Sequence, residues 1–499
     1  MAPKCRFGLG RVLTVLVLPA IAAAAPNVTV AAGCQEACAI LAQEFGTRLH
    51  YPTTDNVTFW DSKQAEVVPA CRVEPTGSED VASIIHTLVQ TSCRFAIRSG
   101  GHTRERDDSN SDGGVTIDLR QIRTADVSTD RSRVRLGTGH TLVSAYSALE
   151  PYNLTFLGGR VDTVGVAGFT LGGGLSNLSP KFGLAMDNVF EYEVVLANSS
   201  IVTASETQNA DLYWALRGGG GNNFGVVTYF TVRAVPQGLA WGGAKTYSDN
   251  QTSTILRELD QLTTVHTNDT DMAFWATYQY SSETDEFDWI VNQGYNPSVE
   301  YPPVFRGLNE IPSLSSTLRL DRLSNFSVEA AGPLPWPRRN LFASISHLPS
   351  LELEDQLLEI FRNESRSVQG VEGFSATSVT QPFFEGSVAA MKVRGGNPVS
   401  VEAGGPFTVK LLIFTWLNAD DDVVVYRHAD RWIERATAAA TDAGLYHPYL
   451  YINYALRTQD PFAHFPAENV ERLRSIQRSV DPTGIFTSQG LCRGYFKLL

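Results

Sequence analysis

The sequence predicts an α+β protein, and three features of its texture carry that expectation. Short apolar runs between glycine turns dominate up to about Val232, longer helical periodicities begin at about Pro236, and strand followed by helix returns near Tyr449. No repeat of fixed period interrupts this order. At 43% hydrophobic and 19% charged residues the chain is too apolar to stay disordered. Its formal charge of -13, without long Lys/Arg runs, argues against a nucleic-acid partner.

Lys4, Arg6 and Arg11 precede an apolar run from Val12 to Leu18 and the small residues Ala22 to Ala25. That anatomy predicts a signal peptide over residues 1–32, cleaved after Ala24, Ala25 or Ala32. It is too short for a comfortable membrane span, so no membrane association is expected after cleavage. Sequons beginning at Asn27, Asn56, Asn153, Asn177, Asn198, Asn250, Asn268, Asn325 and Asn363 agree with an exported glycoprotein. Asn177 lies in a glycine-rich stretch and is the one least expected to carry a glycan. Cys34, Cys38, Cys71 and Cys93 cluster near the mature N-terminus, which predicts up to two disulfides in any of three connectivities, with Cys492 left as a thiol. A zinc site on Cys34 and Cys38 lacks histidines at suitable spacing, so no metal is expected.

A helix is expected after the capping pattern Thr76-Gly77-Ser78-Glu79, with Val81, Ile84, Ile85 and Leu88 on one face. Buried strands are expected at Phe95–Ile97 and Val115–Leu119, and a helix from His140 to Leu149. Further on, helices are expected at Leu351–Phe361 and Asp421–Ala439 around a strand at Phe407–Trp416. The end reads as a strand over Tyr449–Ala455, a helix over Pro466–Val480, and a stop at Asp481-Pro482.

Glycines are the informative residues, because they allow close approach of backbone to a ligand. Gly100-Gly101, the run Gly165 to Gly174, and Gly218 to Gly221 share one stretch of chain. None fits the dinucleotide fingerprint G-x-G-x-x-G or the P-loop. The G-x-S-x-G elbow and H-E-x-x-H are absent as well. Loops of exposed amides that wrap a diphosphate without a Rossmann helix remain. His102 follows two glycines at the end of a predicted buried strand, where a cofactor can come close.

Arg98-Ser99-Gly100-Gly101-His102 resembles the flavin-attachment motif of the berberine bridge enzyme-like oxidases, in the vanillyl-alcohol oxidase superfamily. The resemblance continues through Gly165–Leu175, Phe182–Val189, Asp211–Thr228, Tyr451-Ile452-Asn453-Tyr454 and Asp481–Phe486. It implies a PCMH-type FAD-binding domain over 34–235, completed by a C-terminal return over 446–499. An α+β substrate domain over 236–445 is inserted between them. It also implies FAD joined covalently to His102, with contacts from Arg98, Ser99, Gly100, Gly101, Thr163, Val164, Gly165, Gly168, Gly173, Gly174, Asp187, Asn188 and Val227. Many relatives carry a second flavin link through a cysteine where this chain has Val161, so a single link is expected. The sugar-oxidising members usually keep that cysteine, which turns the expectation toward a small secondary metabolite.

A tyrosine of the Tyr451–Tyr454 motif is expected, by the same resemblance, to face the flavin and take a proton from substrate. Read as a strand, Tyr451 and Asn453 point to one face and Tyr454 to the other. A free phenol with a pKa of about 10 needs a cation nearby, and Lys410 is the candidate, on the face Thr408-Lys410-Leu412-Phe414-Trp416. The expected activity is an oxidase that passes hydride to FAD and electrons to O2, releasing H2O2. Two rival readings are a carbohydrate oxidase and a secreted flavin-fold glycoprotein that binds with little turnover. The partners are then a small-molecule substrate and O2; oligomeric state is open.

Overall fold

The computed structural model describes residues 31–332, 338–401 and 405–499. Most of the expected leader, and the Asn27 sequon, lie outside these residues. The chain builds three principal sheets. The first is mixed: β1 (Leu49–His50), β2 (Cys71–Val73), β3 (Phe95–Arg98) and β4 (Val115–Asp118) stand in the order β1-β2-β4-β3, with β4 parallel to both neighbours. Such strands are buried on both faces, and Phe95, Ala96, Val115 and Ile117 are fully enclosed.

Two helices cover that sheet. α1 (Ala32–Phe45) and α2 (Ser78–Gln90) pack on it through Leu41, Val81, Ile84, Ile85 and Leu88. The expected capping pattern is displaced: Gly77 is the N-cap, and Thr76 instead donates to Asp80 from its hydroxyl and its amide. Disulfides Cys34–Cys93 and Cys38–Cys71 tie α1 to the end of α2 and to β2, which selects one of the three connectivities. Cys492 is a buried thiol whose ionisation burial makes harder.

The second sheet is antiparallel, in the order β5 (Ala125–Val127), β6 (Arg133–Gly137), β9 (Val226–Arg233), β7 (Val189–Val195) and β8 (Ile201–Ser205). Helices α3 (Leu142–Leu149), α4 (Val166–Leu171) and α5 (Ala210–Leu216) share its core with Tyr192, Phe230 and Trp214.

The third sheet is the largest. Its central strands run β10 (Ala240–Ser248), β12 (Glu286–Tyr295), β11 (Met272–Ser281), β14 (Ser375–Phe383), β15 (Phe407–Trp416) and β13 (Arg339–His347), all antiparallel. Residues alternate across each strand, so one face packs on helices. That face meets α6 (Thr252–Thr264), α7 (Leu351–Arg366) and α8 (Asp422–Asp442) through Phe274, Tyr278, Trp289, Leu412, Phe414 and Trp416. The other face looks toward the first two sheets.

Near the end, the expected strand over Tyr449–Ala455 is absent. The segment is a turn, with Tyr454 N and Ala455 N both donating to Tyr451 O, followed by α9 (Ala467–Val480). Among the described residues no helix is long and apolar enough to cross a membrane. The sequon residues Asn56, Asn153, Asn198, Asn250, Asn268, Asn325 and Asn363 are exposed, whereas Asn177 is half-buried.

Peptide mapping without reductant should recover Cys34–Cys93 and Cys38–Cys71, with Cys492 alkylated only after denaturation. Each bridge closes a long loop, of 59 and 33 residues of sequence separation. Loop-closure entropy then assigns about 4 kcal/mol to each, and Cys38→Ser with Cys71→Ser should lower the urea midpoint accordingly.

Candidate functional site

A cavity of about 380 Å³ lies between the glycine loops and the free face of the large sheet. One wall is backbone-rich and comes from Ser99–Arg104, Val164–Phe169 and Gly221–Val227. The facing wall is apolar: Trp275 and Thr277 of β11, Phe342 of β13, Thr377 and Val379 of β14, and Leu411 and Ile413 of β15. Tyr451, Asn453, Tyr454 and Tyr495 close one end.

His102 stands in the first wall because β3 ends in two glycines. A Cβ on Gly100 would sit 2.3 Å from Gly165 N, and one on Gly165 would sit 2.1 Å from Gly100 N, so the two loops touch backbone to backbone. Gly101 has φ +70, the left-handed region that glycine enters without strain. The chain thereby turns His102 toward Thr163, whose Oγ1 lies 3.0 Å from Nε2, and stacks its ring on Trp60 at 4.1 Å. Desolvation, with the charge of Arg104, holds the imidazole down at about 3, so it is neutral at pH 7.

The residues fit a flavin dinucleotide. Gly168 and Gly221 both line the cavity, and a Cβ on either would meet no protein atom within 4 Å, so open space lies in front of bare backbone. A neutral imidazole and a broad apolar wall share that space.

Ser99, Gly100, Gly101, His102, Val164, Gly165, Gly168 and Val227 therefore come together at the cavity, as do Tyr451, Asn453 and Tyr454. Other sequence candidates stand one layer behind. Arg98 donates to Thr58 O and lies over the Phe59 ring, and Thr163 orients His102. Gly174 N donates to the Tyr451 hydroxyl at 3.1 Å, while Gly173 takes φ +111 against Tyr451 and Leu184. Asp187 accepts from Leu184 N and Asn397 Nδ2, and burial pushes its carboxyl up to about 6 against those bonds. Asn188 Nδ2 donates to Phe182 O and Leu184 O.

The tyrosines differ in their freedom. Tyr451 Oη accepts from Gly174 N, Leu175 N and Asn453 Nδ2, and burial pushes its ionisation far up. It acts as a clamp. Tyr454, turned by the local backbone, donates to Gln381 Oε1 at 3.1 Å and accepts from Arg160 Nη2 at 2.7 Å. The guanidinium lies 4.7 Å from the Trp275 ring centroid.

Lys410 is not the cation of this site. The face Thr408-Lys410-Leu412-Phe414-Trp416 is the helix-packed one; Leu411 and Ile413, of opposite parity, look into the cavity. Lys410 Nζ instead donates to Glu354 of α7 at 2.7 Å and to Thr380 of β14 at 2.7 Å, between the sheet and its covering helix. Sequence reasoning passed over Arg160, which meets a tyrosine 294 residues away, and over Trp275, Phe342 and Arg104. No short-range pattern marks such encounters. The alternation of Leu411 and Ile413 was the one available signal.

Comparisons with known proteins agree with this geometry. Residues 69–205 match the model of an FAD binding domain. The FAD-dependent monooxygenase tpcD of Cochliobolus heterostrophus is 33% identical, over 91% of this chain and 93% of its own. Among solved structures, wild-type BBE-like 1 of Physcomitrella patens superposes with a TM-score of 0.72 at 20% identity, covering 91% of this chain and 99% of that one. Glucooligosaccharide oxidase from Acremonium strictum, with its 6-S-cysteinyl, 8α-N1-histidyl FAD, gives 0.69 at 18% identity, covering 93% and 99%.

Lys410→Met should destabilise the fold by about 3–5 kcal/mol, because it strands a buried carboxylate. Burial alone would raise Glu354, yet Lys410 and His347 outweigh it and hold the carboxyl at about 2, below its ordinary 4.5. A carboxyl depressed on folding stabilises above its unfolded value. The gap between wild type and variant in urea melts should therefore be full at pH 7 and shrink from about pH 4.5 toward 2.

Proposed function

The chain belongs to the berberine bridge enzyme-like family of FAD-dependent oxidoreductases, and from that premise we propose that it is a secreted oxidase of an apolar secondary metabolite. The observation that carries the reading is the cavity with glycine loops and a neutral imidazole on one wall and an apolar sheet face on the other. In this reading 34–235 with 446–499 hold the cofactor and 236–445 hold the substrate. Bound FAD supplies a two-electron acceptor, and O2 then takes the electrons to give H2O2.

His102 is the attachment residue. Its unprotonated ring is nucleophilic at neutral pH, and Thr163 and Trp60 fix its orientation. Val161 lines the cavity where a thioether-forming cysteine would stand, so the link is single. As the phenolate, Tyr454 takes the substrate's hydroxyl proton on Oη and becomes the neutral phenol that donates to Gln381 Oε1; Arg160 donates to the same oxygen, so the charge it carries before the transfer meets a cation in contact. We prefer dehydrogenation to oxygen insertion, the reaction in the fungal relative's name, because a proton acceptor paired with a cation suits it. A carbohydrate is disfavoured: Phe342, Val379, Leu411 and Ile413 offer a ring of sugar hydroxyls no hydrogen bonds, and on that wall only Trp275, Thr277 and Thr377 carry a polar atom. The clustered disulfides and seven exposed sequon asparagines named above support export and glycosylation.

Acid-precipitated protein should stay yellow, and its flavin peptide should contain His102. Release of all flavin by acid would overturn the covalent assignment. Because the imidazole pKa lies near 3 rather than at 6.5, covalent incorporation into apoprotein should be flat from pH 8 to about 5. An ordinary histidine would lose most of its reactive form over that span.

Tyr454→Phe should lower kcat by about 10²–10⁴-fold while flavin content is kept. A panel of sugars, alcohols and aromatic or polyketide-type alcohols, screened for peroxide, tests the substrate class.

A further inference from the structure

Arg160 lines a cavity whose sheet-side wall is apolar, yet among the described residues no carboxylate lies within ion-pair distance of it. Its guanidinium spends one donor on Tyr454 Oη and rests a face on Trp275. The remaining N–H groups of the fork have no hydrogen-bond partner among the described residues. A guanidinium at a cavity wall with no carboxylate beside it favours an anion brought by a ligand, and its planar fork suits two oxygens at once.

We propose that Arg160 is the recognition site for an acidic group, a carboxylate, enolate or phenolate, on an otherwise apolar substrate. The inference rests on the cavity being the substrate site. The apolar wall takes the carbon skeleton by burial, and the Arg160 guanidinium, held beside Tyr454, fixes which end points toward that tyrosine. Arg160 sits on the sheet side, against β11 through Trp275 and beside Gln381 of β14 through Tyr454. Its backbone belongs to the loop that carries Val161 and Val164, so the flavin content of the Arg160 variant is what separates a substrate anion from one of the cofactor's.

The test compares 2-naphthoate with its neutral isostere 2-naphthamide, by calorimetry on flavin-loaded protein at pH 7. Wild type should bind the carboxylate about tenfold or more tightly than the amide. Arg160→Met should erase the difference at unchanged flavin content, Arg160→Lys should keep part of it, and Tyr454→Phe should keep it. Equal binding in wild type, or a preference that survives Arg160→Met, would overturn the proposal. So would loss of flavin in Arg160→Met, which would place the side chain on the cofactor. If Arg160→Met fails to fold, wild type and Arg160→Lys decide: an undiminished preference in the lysine variant counts against the bidentate fork. Flavin content and peroxide release are scored separately. A flavin-free protein that still prefers naphthoate sinks the proposed function and not this site; an active flavoprotein without the preference does the reverse.

Discussion

The cavity exists because the C-terminal turn is stapled to the glycine run. Asn453 Nδ2 donates to Phe169 O and to Tyr451 Oη, and Asn453 Oδ1 accepts from Tyr495. Tyr451 Oη in turn accepts the amides of Gly174 and Leu175. The contact is so close that a Cβ on Gly172 would lie 2.0 Å from Asn453 Oδ1. Polar groups buried together are costly unless they are matched, and here seven of them share five hydrogen bonds. Fixing this staple fixes the carbonyl of Tyr451, which holds the turn that points Tyr454 at Gln381 and Arg160.

A second network sets the large sheet against the His102 loop. Asp61 accepts from Asn340 N and Lys63 N, and Lys63 Nζ donates to Asn340 O and Tyr426 Oη. Tyr426 donates to Glu105, three residues after His102. Burial pushes the Asp61 carboxyl up to about 6 and the Lys63 ammonium down, so each is costly alone and tolerable only with the other. Networks of this kind add little net stability over apolar packing, but they admit one geometry. Phe342, two residues from Asn340, thereby stands at the cavity with the Arg104 guanidinium 4.2 Å from its ring.

How much of this was legible in the sequence depends on the range of the interaction. Elements set by local periodicity were readable: Phe407–Trp416 is a strand to the residue, and Leu351–Phe361 and Asp421–Ala439 are helices that run slightly longer at their C-terminal ends. The glycine clusters pointed to a ligand because backbone contact is a property of residue type. The Tyr449–Ala455 segment misled, since alternating apolar and polar residues read as a strand whether or not a neighbouring strand exists to pair with. Lys410 misled for a related reason. Alternation told which residues share a face, and both faces of β15 are buried, so hydrophobicity alone did not say which one meets helices. Arg160 and Trp275 were invisible, because their meeting is made by tertiary closure.

The two faces of the large sheet divide the labour of the chain. Leu412, Phe414 and Trp416 sit in the helix-packed core, where a lost methylene leaves a cavity with no means of collapse. Leu411, Ile413, Thr377 and Trp275, one residue out of phase on the same strands, border open space and belong to no such core. Substitution there changes the shape and polarity of the cavity while leaving strand pairing and helix packing untouched. Because the parity of a strand is fixed by its register, the two functions cannot drift into each other without a bulge. One scaffold can thus keep its glycine wall and its staple constant and alter what it accepts by exchanging a handful of side chains of one parity. In this chain those side chains are mostly apolar, and two guanidiniums bring charge to that side, Arg160 against Trp275 and Arg104 over Phe342.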